Sequence, residues 1–322
     1  MSAALLDGLR TGMPAPAPED PLRAQALTRE FGWKIVNRCN YRCSYCFFTL
    51  ADSWEVEMAR EVIHPVEKWL DAWLRMYDLY GSAKIGITGG EPSFYPRFLE
   101  LAEALVTRHR LYIDTNLSRK PSWVKEFVSR VRADRVDFGI SFHPEFADYG
   151  EFVEKMRLVH GAGYDYRLFL ICYPPLLSRL ALYQRELARE GFNVVVAPFR
   201  GAFQGREYPQ AYSPQEEEII AGMCRGLSVK YQSWVARQMD PINPLGKLCH
   251  AGRSYVRVEN DGSVWRCGQY FSDGIRAPFG NFLDPSFRLL DEPLPCAATR
   301  CGCEWRFLDE YSSEPRRAES GA

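Results

Sequence analysis

The chain has 322 residues, 46% hydrophobic and 25% charged, the composition of a globular protein long enough for one large α/β domain and a small appendage. Its formal net charge of −1 removes the electrostatic case for nucleic acid or an acidic membrane as partner. Residues 1–21 carry Asp7, Glu19 and Asp20 and lack the apolar run of a secretory signal, and no later stretch is long enough to span a membrane, so a cytoplasmic protein is expected. In that reducing compartment, ten cysteines point to metal binding or redox chemistry before disulfides.

In chain order, residues 1–30 form a lead-in whose alternating prolines, Pro14, Pro16 and Pro18, suit neither helix nor strand. Short apolar runs at 31–37, 83–88, 111–115, 136–142, 167–173 and 193–198 read as buried parallel strands. Helical patterns separate them. Over 65–80, Val66, Trp69, Leu70, Trp73 and Tyr77 share a face and Pro65 suits a helix start; further helices are predicted over 97–108, 122–130, 149–160 and 178–190. Six strand–helix repeats predict a partial (β/α)6 barrel over 31–212. Linking helices at 213–248 follow, then a smaller domain at 249–309, in which Asn260-Asp261-Gly262 signals a β-hairpin, and a polar tail at 310–322.

The first predicted strand runs directly into Cys39-Asn40-Tyr41-Arg42-Cys43-Ser44-Tyr45-Cys46. One loop with this Cys-x3-Cys-x2-Cys spacing can wrap three corners of an iron–sulfur cube and leave the fourth iron open. An open metal position serves catalysis, whereas a structural zinc site is closed by a fourth ligand. The loop, with Tyr45 before its last cysteine, resembles the signature of the radical S-adenosylmethionine (SAM) superfamily. The resemblance implies a [4Fe–4S] cluster on Cys39, Cys43 and Cys46. It also implies that SAM chelates the open iron and is cleaved reductively to a 5′-deoxyadenosyl radical.

Ligands of parallel α/β folds collect at the C-terminal ends of strands. Gly89-Gly90-Glu91 ends the second predicted strand and is similar to the family's Gly-Gly-Glu motif, where glycines admit a close approach and the carboxylate binds the methionyl ammonium. The same resemblance gives Tyr45, Asn116 and Ser141 as SAM contacts. Turn chemistry is the competing reading for Asn116 and Ser141. His143, after the fourth strand, is read as a substrate contact or proton acceptor, and Arg200, after the sixth, as a partner for a carboxylate or substrate anion. Cys172 and Cys224 read as inert buried thiols.

Five cysteines remain: Cys249, Cys267, Cys296, Cys301 and Cys303. Their arrangement around the hairpin resembles the Twitch form of the SPASM extension, which implies a second, auxiliary [4Fe–4S] cluster with one cysteine surplus. Four-cysteine zinc is the competing reading. The extension resembles that of an aminocyclitol dehydrogenase, so the expected substrate is a small polar metabolite: a sugar, aminocyclitol or nucleoside of antibiotic or other natural-product biosynthesis. The expected electron donor is flavodoxin or ferredoxin. The rivals are a maturase of ribosomal peptides and a non-SAM iron–sulfur or zinc protein.

Overall fold

The computed structural model describes residues 29–275, 277–302 and 305–308. Strand β1 (Glu30–Val36) leads through the cysteine loop into helices α1 (Phe47–Leu50), α2 (Trp54–Ala59) and α3 (Val66–Tyr80). Then strands and helices alternate: β2 (Lys84–Gly89), α4 (Phe98–Leu105), β3 (Arg110–Thr115), α5 (Pro121–Arg130), β4 (Val136–Ser141), α6 (Tyr149–Gly161), β5 (Asp165–Cys172), α7 (Leu177–Arg189) and β6 (Val194–Pro198). A short hairpin, β7 (Gly201–Phe203) and β8 (Arg206–Tyr208), precedes α8 (Pro214–Cys224) and α9 (Val229–Met239). The last segment holds β9 (Leu248–Cys249), β10 (Tyr255–Val258), β11 (Ser263–Trp265), α10 (Gly268–Ser272), β12 (Gly280–Asn281) and β13 (Leu294–Pro295).

Strands β1 to β6 lie side by side in sequence order and are all parallel, the arrangement of a partial (β/α)6 barrel. The predicted hairpin forms as β10–β11, turning at Gly262 with φ +87°. It does not stand apart from the barrel: β10 pairs in parallel with the free edge of β1 and extends the sheet to nine strands. The ion pair between Lys34 of β1 and Glu259, 2.8 Å and buried on both sides, fixes that junction.

Helix α3 shows why the outer layer forms. Pro65 caps its start, and Val66, Trp69, Ala72, Trp73 and Met76 bury one stripe against the sheet. There the Trp33 and Trp69 rings lie 4.6 Å apart, both with no exposed surface. Full burial of each such side chain contributes about 1.5–3 kcal/mol.

The strands themselves depart from the sequence expectation. They are not apolar on both faces. In each, alternate residues go outward into the helical layer, as do Phe31, Trp33, Ile85, Ile87, Leu111, Ile113, Phe138, Ile140, Leu168 and Leu170. The intervening positions, among them Lys84, Thr88, Tyr112, Asp114 and Arg167, line hollow space inside the barrel. Glycines keep it open: a Cβ on Gly139 would meet Asp114 Oδ1 and the Tyr112 hydroxyl, each at 2.3 Å.

Candidate active site

The cysteine loop begins where β1 ends and is held from three sides. Glu61 accepts the amides of Asn37 and Arg38 at 2.8 and 2.9 Å. Beyond β4, Glu145 accepts the Ser44 amide at 2.8 Å and its hydroxyl at 2.5 Å. From the end of β3, Asn116 Nδ2 donates to Asn40 Oδ1 at 3.1 Å and points at Cys39 Sγ, 3.7 Å away. The Arg42 guanidinium stacks 3.8 Å above the Trp54 ring.

The glycine motif is a backbone lock. The Gly90 and Glu91 amides donate to Val36 and Arg38 carbonyls at 3.0 and 2.9 Å. A Cβ on Gly90 would lie 2.1 Å from the Arg38 carbonyl oxygen, so only glycine brings β2 this close to the root of the cysteine loop. The close approach foreseen for a ligand is thus also an approach to the chain's own backbone.

Glu91 takes a place the sequence did not suggest. It is fully buried, and its carboxylate accepts from the Ser93 amide (3.1 Å), the Thr115 hydroxyl (2.8 Å) and the Asn116 amide (2.7 Å). It does not line the cavity that holds the cysteines. Burial raises its pKa, opposed by those three donors. In this geometry Glu91 positions Thr115 and Asn116 and offers no free oxygen to an ammonium.

Cys39, Cys43 and Cys46 line one cavity of about 570 Å³ at the C-terminal ends of the strands. Gly89, Gly90, Tyr45, Asn116, Ser141, His143 and Arg200, all singled out in the sequence, line it too. Sequence reasoning missed Thr88, Asp114, Tyr41 and Trp54 in the same wall. For Thr88 and Asp114 the signal was polar alternation within their strands. The Tyr45 hydroxyl is 2.9 Å from His143 Nδ1, and burial pushes the imidazole down to about 4. Burial pushes the Asp114 carboxyl up to about 6, against the pull of Arg167. Arg200 Nη2 reaches the Gln238 carbonyl of α9 at 3.3 Å and also lines the cavity, so this side chain joins the barrel to the C-terminal segment.

The donor set fits an iron–sulfur cluster. Three soft sulfurs from one loop face shared space, the Tyr41 amide donates to Cys39 Sγ at 3.4 Å, and burial pushes the Cys43 thiol up to about 12. A cationic metal centre would offset that cost of ionisation. Among the described residues no three His, Cys, Asp or Glu groups stand at the spacing of a single-ion site. Sulfurs spread around a volume suit a cube of iron and sulfide.

A second convergence lies in the C-terminal segment. Cys249, Cys267, Cys296 and Cys301, from four separate stretches, line one small cavity, while Cys303 lies outside the described residues. Arg266, 6% exposed, organises it by donating to the carbonyls of Ala251, Cys249, Leu294 and Pro295 at 2.8–3.1 Å. Cys267 caps α10, and Ser272 at the other end of that helix lines the first cavity. Five residues of helix rise about 7.5 Å, so this helix links the C-terminal cysteine cavity to the wall of the first one. Cys172 and Cys224 are buried and line neither cavity, as the sequence reading had them.

Residues 33–173 match the family model of the radical SAM superfamily. This segment, somewhat under half of the chain, has the sequence of a radical SAM domain. The solved structure of SuiB from Streptococcus suis superposes with a TM-score of 0.56 at 14% identity, covering 80% of this chain and 64% of that one. That of anSMEcpe with bound AdoMet gives 0.55 at 16% identity, covering 79% and 78%. The chain therefore spans somewhat less than two thirds of the length of SuiB, and likeness at this identity is one of fold. No curated protein matches the sequence. Among the described residues no helix is long and apolar enough to cross a membrane.

Proposed function

We propose that Cys39, Cys43 and Cys46 hold the SAM-binding cluster and that the enzyme abstracts hydrogen from a small polar metabolite. Bound there, cluster and SAM supply reductive cleavage of the sulfonium to methionine and a 5′-deoxyadenosyl radical. The observation that carries the reading is the single cavity shared by three thiols and the polar strand ends.

Within it each side chain has a task. The cysteines would hold three irons of the cluster and leave one open for SAM. Asn116 and Ser141 face the cavity as polar contacts for SAM, and Arg200 offers a cation to a carboxylate or substrate anion. His143 is neutral near pH 7, with Nδ1 engaged by Tyr45, so it orients the aromatic wall and is not a proton acceptor at that nitrogen. Cys249, Cys267, Cys296, Cys301 and Cys303 are the five candidates for the four ligands of the auxiliary cluster, and the first four line one cavity. The reductant would be a flavodoxin or ferredoxin.

A peptide substrate is the second reading. It is favoured by solved complexes of the fold neighbours: SuiB with the precursor peptide SuiA, and anSMEcpe with peptides. Against it, the barrel's two hollows, about 570 and 640 Å³, are of small-molecule size. The test is anaerobic reconstitution with SAM and dithionite, then a panel of metabolites and peptides. A metabolite should stimulate 5′-deoxyadenosine formation and pass deuterium into it. Stimulation by a peptide alone would install the second reading, and absence of 5′-deoxyadenosine under every condition would refute both.

A further inference from the structure

Below the SAM-side cavity lies a second chamber of about 640 Å³ inside the barrel. The two share Thr88 and Asp114 in their walls, so these side chains stand at the boundary between the lower chamber and the upper one. The lower chamber is unusual in its cations. Arg257 is paired with Glu259 at 2.7 Å, and Arg306 with Glu30 at 2.7 Å. Lys84 and Arg167 also line it, yet among the described residues neither has a carboxylate within 4.0 Å or a side-chain hydrogen bond. Both stand by the ring of Tyr112, whose centroid lies 5.6 Å from Lys84 Nζ and 4.8 Å from Arg167 Cζ. Both residues are half-buried.

Withdrawing cations from water costs free energy; Glu30 and Asp137 act on Lys84, and Asp114 on Arg167, only from beyond ion-pair distance, and burial lowers the pKa of Lys84. A ligand anion would recover that cost. We infer that Lys84 and Arg167 form an anion-binding subsite and that the molecule held in the lower chamber carries a carboxylate or a phosphate.

The layout gives that molecule a direction. Lys84 and Thr88 are four residues apart on β2, about 13 Å of strand. An anionic group held by Lys84 and Arg167 leaves the remainder of a small molecule reaching up toward Thr88 and Asp114, where the SAM-side cavity begins. Phe169 and Trp234, with ring centroids 5.9 Å apart, offer an apolar wall to its body. Naming this molecule as the hydrogen donor rests on the function proposed above; the anion subsite itself does not.

The test is titration calorimetry of the reconstituted enzyme with inorganic phosphate and, separately, with succinate. At least one should bind, and its identity tells phosphate from carboxylate. Lys84→Gln and Arg167→Gln should each weaken binding tenfold or more. Arg167→Lys should recover part of the loss, and Arg132→Gln, an exposed surface pair, should change nothing. A second readout needs no variant: acetylation of Lys84 in the wild-type protein, followed by mass spectrometry, should slow when the binding anion is present. Failure of both anions to bind the wild type, or unaltered affinity in the glutamine variants, would overturn the inference. Substrate-free formation of 5′-deoxyadenosine by the wild-type preparation reports the SAM chemistry independently of anion binding.

Discussion

The hydroxyl of Tyr45 stands 2.9 Å from Nδ1 of His143, and the two rings stack with centroids 5.8 Å apart. A residue inside the cysteine loop is thereby tied to one beyond β4, nearly a hundred positions later in the chain. Tyr45→Phe deletes the hydrogen bond and keeps the ring. Iron content should stay at the wild-type level while SAM cleavage slows several-fold, a loss measured as 5′-deoxyadenosine formed per minute under dithionite. A wild-type rate would show that the bond does not serve the chemistry.

Gly90→Ala tests the backbone lock. The added methyl would press on the Arg38 carbonyl at the root of the loop, and overpacking of this kind costs about 1–3 kcal/mol. The reconstituted variant should lose iron selectively at the N-terminal site, seen as a drop from about eight to about four atoms per chain if both clusters form.

Glu91→Ala removes the acceptor of three donors and leaves them buried. Unsatisfied groups of this kind cost about 1–3 kcal/mol each, so urea unfolding should show a loss of several kcal/mol. SAM affinity should fall with it, through Asn116. Unchanged stability together with weakened SAM binding would instead return Glu91 to direct contact with the cofactor.

Acid should weaken the fold through His109. This histidine is 1% exposed, accepts the Ala83 amide at Nδ1 (3.2 Å), and burial pushes it down to about 4. The unfolded chain protonates near 6.5, so between those values it binds a proton that the native protein refuses. The neutral histidine's stabilising share is complete above pH 6.5 and is lost as the pH falls toward 4, at most about 3 kcal/mol. In His109→Gln the fall in urea midpoint over this range should be shallower; an equal slope would remove His109 as its source.

The C-terminal cysteines can be sorted one by one. Single replacement by Ala of Cys249, Cys267, Cys296, Cys301 and Cys303 in turn should cost about four irons per chain at each of the four ligands and few or none at the surplus one. Cys172→Ala and Cys224→Ala, in the barrel core, should leave the iron count unchanged.

The cysteine spacing at 39–46 and the six strand–helix repeats were legible without a structure because both are local: the loop spans eight residues, and each repeat announces itself by periodicity and turn residues. What only tertiary structure decided lies across the chain. That Glu91 is used up on Thr115 and Asn116, and that Arg266 gathers the carbonyls around the C-terminal cysteines, is not written along the chain, because those partners meet only when separate elements pack. The polar alternation in Lys84, Thr88, Tyr112 and Asp114 is present in the sequence, within runs otherwise apolar enough for buried strands. A strand's pattern tells which residues share a face; whether that face meets helices or a hollow is settled by how the sheet curves.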